Sequence, residues 1–282
     1  MIGLDTILIV VVLYKCRFED AKSIETLSKS LEGICDIKME LVVYDNSPQY
    51  NSYTLYSPLF NIHYVPDFSN SGVSKAYNTA YSIGKKMGKK YLLLLDQDTK
   101  FPLTYCRDLT IIEDKYSLVM PKLEAKDVII SPCYYRLGRG FPMNDKKCVV
   151  GESSLKGRNF LNSGALISIS LYEAVGGFDE RVPLYFSDFN FFNRAKQHIS
   201  SYYQMNTLLH HDMSSNDETN LEQFVGRFKL YCDGAFVCYH NLGGIILMCI
   251  NVFLRAIKVG IKFRTFQFIE IALKSFYHVF FK

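Results

Sequence analysis

The sequence lacks any C-x-x-C pair and any His/Cys cluster at zinc-finger spacing, which excludes the common cysteine-built metal sites and redox motifs. Its 8 cysteines (Cys16, Cys35, Cys106, Cys133, Cys148, Cys232, Cys238 and Cys249) are scattered and read as small, inert thiols in a reducing compartment. An excess of one charge sign is lacking too. The 32 Lys and Arg against 28 Asp and Glu leave a net charge of +4, too small and too evenly spread through most of the chain to make nucleic acid the principal partner. A secretory leader is not expected either. The apolar run Ile7 to Leu13 follows Asp5 without a Lys or Arg before it, and no small-residue cleavage site follows, so it reads as a buried first strand of a cytoplasmic protein.

What is there is apolar bulk. A chain of 282 residues, 49% hydrophobic, supports one large α/β domain or one domain with a modest appendage. Four segments read as strands: Thr6 to Tyr14, Met39 to Tyr44, Asn61 to Val65 and Tyr91 to Leu95. Three of them are continuous in Ile, Leu or Val, the pattern of strands covered on both faces in a parallel sheet. Helix-like stretches lie between them, Ala21 to Leu31 and Val73 to Met87, which gives the order of a doubly wound sheet. Polar clusters follow the strands: Asp45-Asn46-Ser47, then Asp67 to Asn70, then Asp96-Gln97-Asp98. Ligands of open α/β sheets bind beyond the carboxyl ends of the strands, so these clusters should meet in one crevice.

The stretch from Ser117 to Asn159, with Pro121, Pro132, Pro142 and several glycines, reads as short strands and loops. A short helix is expected over Leu171 to Val175, opened by Ser170 as N-cap and closed by Gly176-Gly177, and another from about Ser187 to Gln197. From Asn241 the composition changes. The apolar segment Gly243 to Leu254 is shorter than the roughly 20 residues that a spanning helix needs. Beyond it Arg255, Lys258, Lys262, Arg264, Lys274 and Lys282 alternate with Phe, Ile and Tyr. That pattern suits basic amphipathic helices lying on an anionic membrane face, or a helical pair packed on the main domain or a partner.

Asp96-Gln97-Asp98 follows an apolar strand, so an extended chain would deliver two carboxylates to the sheet rim on the same side. A hard divalent cation, Mg²⁺ or Mn²⁺, takes one or two such ligands, with water and substrate phosphates completing the shell. The bare D-x-D pattern also occurs in solvated turns. The wider set is more specific: Val10-Val11-Val12-Leu13-Tyr14, Val42-Val43-Tyr44-Asp45-Asn46-Ser47, Asn70-Ser71-Gly72 with Ala76 and Asn78, Asp96-Gln97-Asp98, Asn162-Ser163-Gly164, Gly176-Gly177-Phe178-Asp179-Glu180, Tyr185-Phe186-Ser187-Asp188-Phe189 and His211-Asp212. In this order, over about residues 5 to 215, the chain resembles bacterial glycosyltransferase family 2, especially rhamnosyl-type and capsule or O-antigen transferases.

The resemblance implies an α/β GT-A fold, with residues 1–240 forming the transferase domain and residues 241–282 a basic helical tail. Within the domain, residues 1–115 would bind the nucleotide-sugar and residues 116–240 the acceptor. It implies donor contacts for Tyr14, Asp45, Asn70, Gly72, Asn78 and Asp96, a metal held by Asp98 and His211, and a glycan acceptor against Asn162, Ser163, Gly164 and Arg194. His210, beside His211, leaves the identity of the metal-binding histidine open. Asp188 is the expected catalytic base, because inversion needs a carboxylate to take the acceptor hydroxyl's proton, and the phenylalanines at 186, 189, 191 and 192 would raise its proton affinity. Asp179 and Glu180 are second choices. One departure is Tyr77, where many relatives of this type carry an Arg toward the diphosphate.

The expected activity is transfer of a hexose or rhamnose from a UDP- or dTDP-sugar to a lipid-linked glycan, by a protein peripheral on the inner face of the plasma membrane. Two other readings compete. A sugar nucleotidyltransferase also uses strand-end carboxylates, but it usually has a Gly-rich loop where this chain has Tyr14-Lys15-Cys16-Arg17. A silent scaffold of a polysaccharide assembly complex would not need Asp96, Asp98 and Asp188.

Overall fold

The computed structural model describes residues 1–34, 37–49, 55–211, 220–238 and 242–281; Cys35, Asp212, Asn241 and Lys282 lie outside the described residues. The first half runs β1 (Ile7–Leu13), α1 (Lys22–Leu31), β2 (Met39–Asp45), β3 (Phe60–Pro66), α2 (Val73–Lys86), β4 (Tyr91–Asp96), β5 (Thr99–Lys100) and α3 (Tyr105–Thr110). The second runs β6 (Leu118–Ala125), β7 (Val128–Arg136), β8 (Arg139–Met143), β9 (Gly151–Ser154), β10 (Arg158–Asn159), β11 (Leu166–Ser168), α4 (Ile169–Val175), α5 (Ser187–Ala195) and β12 (Ser201–His211). Three helices close the chain: α6 (Leu221–Val237), α7 (Leu242–Phe263) and α8 (Gln267–Phe281).

The spine of the sheet has the order β10-β7-β6-β11-β4-β1-β2-β3. β1 pairs in parallel with both β2 and β4, and β2 in parallel with β3. Every residue of β1 is buried, which explains its unbroken apolar run. The two-residue period of the strand then sends side chains to two layers. Ile7, Ile9, Val11 and Leu13 pack with Ile24 and Leu27 of α1 and Tyr105 and Leu109 of α3. Leu8, Val10 and Val12 pack with Ala76 and Ala80 of α2, Tyr172 of α4 and Phe191 and Phe192 of α5.

The second half is more regular than its sequence suggests. β11 runs antiparallel between β4 and β6, while the eleven-residue β12 pairs in parallel with β6 and antiparallel with β5 and β9. Pro121 lies inside β6 and Pro132 inside β7, so two residues that normally argue against a strand hide two strands of the sheet. The N-cap of α4 is Ser168, whose side chain accepts from Leu171 N–H, rather than Ser170. Gly176 closes that helix in the left-handed conformation, as its sequence implies.

At the C-terminal end α6, α7 and α8 share a hydrophobic cluster that includes Phe228, Tyr231 and Phe236, Met248, Val252 and Ala256, and Phe268 and Ala272. Tyr185 and Phe186 pack against it, so this unit sits on the segment that leads into α5. α7 has 22 residues, longer than its apolar core suggested, and by length and composition alone it suffices to cross a membrane. One face of α7 is buried in the cluster, while Ile246, Ile250, Leu254, Ile257 and Ile261 are exposed.

Candidate active site

The ends of the parallel strands are tied into one rim. Tyr14 N–H, just past β1, donates to Gln97 Oε1 at 2.8 Å, and Lys15 N–H donates to Ser47 Oγ at 2.8 Å. The half-buried Cys16 thiol is pushed up first by burial and then by the charges of Asp20, Asp98 and Asp45, which places β2's acidic end and the Asp98 turn on the same side. Asp45 itself is buried at the end of β2, where its carboxylate accepts from Ser47 N–H at 2.9 Å and Tyr64 O–H at 3.0 Å. Those bonds hold the turn. Tyr14 is exposed at the rim.

A cavity of about 430 Å³ opens beside this rim, lined by Asp96, Asn162, Asp188, His211, Arg227 and Tyr231 among others. Asp96 and Asp188 thus meet, from strand β4 and helix α5. Burial raises the Asp96 carboxyl; the charge of Asp98 raises it further, while His211 and the Tyr77 hydroxyl, which donates at 3.3 Å, oppose the rise. Burial pushes Asp188 up to about 7, with Phe189 N–H opposing and the charge of Asp96 adding to the rise. Phe186 and Phe189 line the cavity beside Asp188, whereas Phe191 and Phe192 belong to the core behind it. Phe186 has φ of 68°, a left-handed conformation that costs a residue with a Cβ on the order of 1 kcal/mol or more. The strain therefore sits two residues from Asp188.

Asp96 and Asp98 are not presented side by side on an extended strand. β4 ends at Asp96, and the chain turns through Gln97 and Asp98 into β5. Asp98 then faces the last strand: its Oδ1 lies 3.4 Å from His211 Nδ1. The histidine pair is resolved by strand alternation. His210 turns to the other face, with Nδ1 3.0 Å from Glu124, and His211 faces the site. A hydroxyl relay fixes His211: Ser163 Oγ–H donates to Thr99 Oγ1 at 2.7 Å, and Thr99 Oγ1 lies 3.0 Å from His211 Nδ1. Thr99 is fully buried and belongs to no recognisable motif, and sequence reasoning missed it; its place after the D-x-D turn is the one signal that could have found it.

One carboxylate and one imidazole suit a divalent cation that keeps positions open for water and phosphate. With Nδ1 held by Thr99, Nε2 is the His211 atom left to bind such an ion beside the Asp98 carboxylate. Among the described residues no cluster of three or more His, Cys, Asp or Glu forms a closed metal cage.

Asn162 is buried, lines the cavity, and its Oδ1 finds no hydrogen-bond partner among the described residues. Such an atom costs about 1–3 kcal/mol unless a ligand or water meets it. Gly164 serves packing: with φ of 76°, an added Cβ would lie 2.4 Å from Leu209. Gly72 does likewise at the start of α2, where a Cβ would lie 2.2 Å from the Pro183 carbonyl oxygen. That same carbonyl accepts from Val73 N–H at 2.7 Å, so the protein itself satisfies this helix N-terminal donor, at a turn expected to contact the donor substrate. Asn70 is exposed in the preceding turn with φ of 52°.

Two expected site residues lie elsewhere, along a larger cleft of about 1120 Å³ on the other side of Phe186 and Phe189. Asn78 accepts from Tyr172 O–H and Phe178 N–H and donates to the Phe178 carbonyl and Glu180. Arg194 donates to the Val175 and Gly177 carbonyls and to Asn190. Each clamps the loop after α4. Asp179, beside them, is paired with Arg181 at 2.7 Å, which lowers its carboxyl. The sequence singled out neither Arg227 nor Tyr231, because the last helices gave a compositional signal without a motif.

A mixed sheet whose parallel half ends in an acidic rim, covered on both faces by helices, defines the GT-A fold class, and solved structures bear this out. S. aureus TarS residues 1–349 align over 97% of this chain and 80% of that one, with TM-score 0.56 and 16% identity. The same fragment in complex with UDP-GlcNAc aligns over 86% and 69%, with TM-score 0.52 and 16% identity. GalNAc-T7 with UDP, GalNAc and Mn²⁺ aligns over 74% of this chain and 44% of that one, with TM-score 0.50 and 13% identity. At these identities the likeness is one of fold. No family model and no curated protein matches the sequence.

Proposed function

We propose that this protein is an inverting glycosyltransferase, which moves a hexose or rhamnose from a UDP- or dTDP-sugar to a lipid-linked glycan during assembly of a capsule or O-antigen type polysaccharide. The observation that carries this reading is the meeting of Asp188 and Asp96 in one cavity beside the Asp98–His211 pair. With a carboxyl near 7, Asp188 is matched to accept a proton from a sugar hydroxyl at neutral pH as that hydroxyl attacks the anomeric carbon. Asn162 Oδ1, without a partner among the described residues, would accept from a substrate hydroxyl and so orient it. Asp98 and His211 would hold Mn²⁺ or Mg²⁺, the imidazole favouring Mn²⁺, and the ion would offset charge on the departing diphosphate. GT-A neighbours solved with UDP, with UDP-GlcNAc and with Mn²⁺ support a donor and a cation of these kinds.

The lipid-linked acceptor rests on the C-terminal helices. The exposed isoleucine face of α7, with Lys258 and Lys262 alongside, suits peripheral contact with the inner face of the plasma membrane. A donor screen tests the reading. The protein is incubated with Mn²⁺ and a panel of UDP-, dTDP- and GDP-sugars, and release of the nucleoside diphosphate is followed. The expected result is release from one donor that is abolished by chelator and in Asp98→Ala. Silence with every donor while glycan still binds would favour a scaffold instead.

A further inference from the structure

The carboxylate cavity carries a charge problem. Asp96 and Asp188 line it and Asp98 lies at its edge, yet the donor of the proposed reaction brings a diphosphate. The position where an Arg toward the diphosphate would be expected is Tyr77, which is fully buried and spends its hydroxyl on Asp96. Among the described residues lining the cavity, the only Lys or Arg is Arg227, and it comes from α6, outside the sheet.

The way α6 is seated makes this placement firm. Arg227, Tyr231 and Gly234 follow at helical spacing and so share one face. At Gly234 an added Cβ would lie 2.6 Å from the Tyr185 carbonyl oxygen, so glycine lets the helix close onto the segment that leads to Asp188. Tyr231, one turn earlier, packs its ring 5.0 Å from that of Phe186 and carries the Arg255 guanidinium of α7 4.0 Å from its ring centre. The next turn brings Arg227 to the cavity.

Resting on the function proposed above, we propose that Arg227 binds the diphosphate of the donor, so that α6 supplies the fixed positive charge that position 77 does not. A guanidinium suits the task because it stays charged beside carboxylates and presents a planar fork of donors to phosphate oxygens. The C-terminal helices are then part of the donor site as well as a surface for other contacts.

Titration calorimetry in Mn²⁺ with UDP and UMP, dTDP and dTMP, and GDP and GMP tests this on the full chain and on Arg227→Met and Arg227→Lys. The diphosphate that the unaltered protein binds should weaken by about tenfold or more in Arg227→Met, while its monophosphate stays unchanged and Arg227→Lys falls between. Should the Met variant not fold, the Lys variant, which keeps the charge and the aliphatic stem, carries the comparison. Equal loss for diphosphate and monophosphate, or no loss for either, would overturn the role of Arg227 and leave the transferase reading standing. Failure of the unaltered protein to bind any diphosphate would overturn both.

Discussion

The two cavities on either side of Phe186 and Phe189 are built from similar residue types and differ in how their polar groups are satisfied. In the larger cleft Asn78 and Arg194 bond to backbone and to neighbouring side chains, Asp179 pairs with Arg181, and the loop after α4 depends on them. In the smaller cavity two carboxyls are pushed up by burial, and Asn162 Oδ1 is left without a partner among the described residues. Volume alone would choose the larger cleft. Unmet polarity chooses the smaller, because a fold tolerates that cost where a ligand removes it.

Asp188→Asn should separate the two cavities by the largest effect. If the smaller cavity is the reactive one, the variant should lose about 10²–10⁴-fold in kcat, read by diphosphate release, with donor binding kept. The sign of its pH behaviour follows from the raised carboxyl. Activity of the unaltered protein should rise with pH and level off above about 7, as Asp188 ionises. Stability runs the other way. A carboxyl whose folded value is raised contributes stability that is full below the unfolded value of about 3.9 and is lost as pH climbs through about 7. Asp188→Asn should therefore raise the melting temperature more at pH 8 than at pH 4, and an equal change at both would count against a buried carboxyl.

A smaller effect is expected at Thr99→Val, which keeps the shape and removes the hydroxyl between Ser163 and His211. Mn²⁺ affinity should fall by about 10–100-fold with the fold intact, and unchanged affinity would show that the relay does not orient the imidazole. Asn78→Ala probes the other side. It should cost about 2–4 kcal/mol of unfolding free energy in denaturant titration, because several bonds go at once, and leave Mn²⁺ and nucleotide affinity as they were. Nucleotide affinity falling in that variant would erase the distinction between the cavities.

The same contrast explains what could be read from the sequence. β1, β2 and β4 were legible because strands buried on both faces must be continuously apolar, and their polar ends had to form a rim. Asp96, Asp98, Asp188 and His211 stood out as acidic or titratable residues in ordered motifs, and they come together. Asn78 stood in the same ordered set and Arg194 further along the helix of Asp188, yet both go elsewhere, since a local pattern does not say which face of a helix reaches which cavity. β12 was missed because its burial mixes Tyr, Gln, Met and Thr with Leu, and two strands of the second half were masked by Pro121 and Pro132. Arg227 needed the long-range docking of α6, which Gly234 permits and no local spacing announces.

The most direct test is to locate the metal. Crystals grown with Mn²⁺ and the nucleoside diphosphate found by the donor screen should give an anomalous scattering peak between Asp98 and His211, with the diphosphate reaching into the cavity lined by Asp96 and Asp188. A manganese peak or a nucleotide seated in the larger cleft among Asn78, Asp179 and Arg194 would contradict the account.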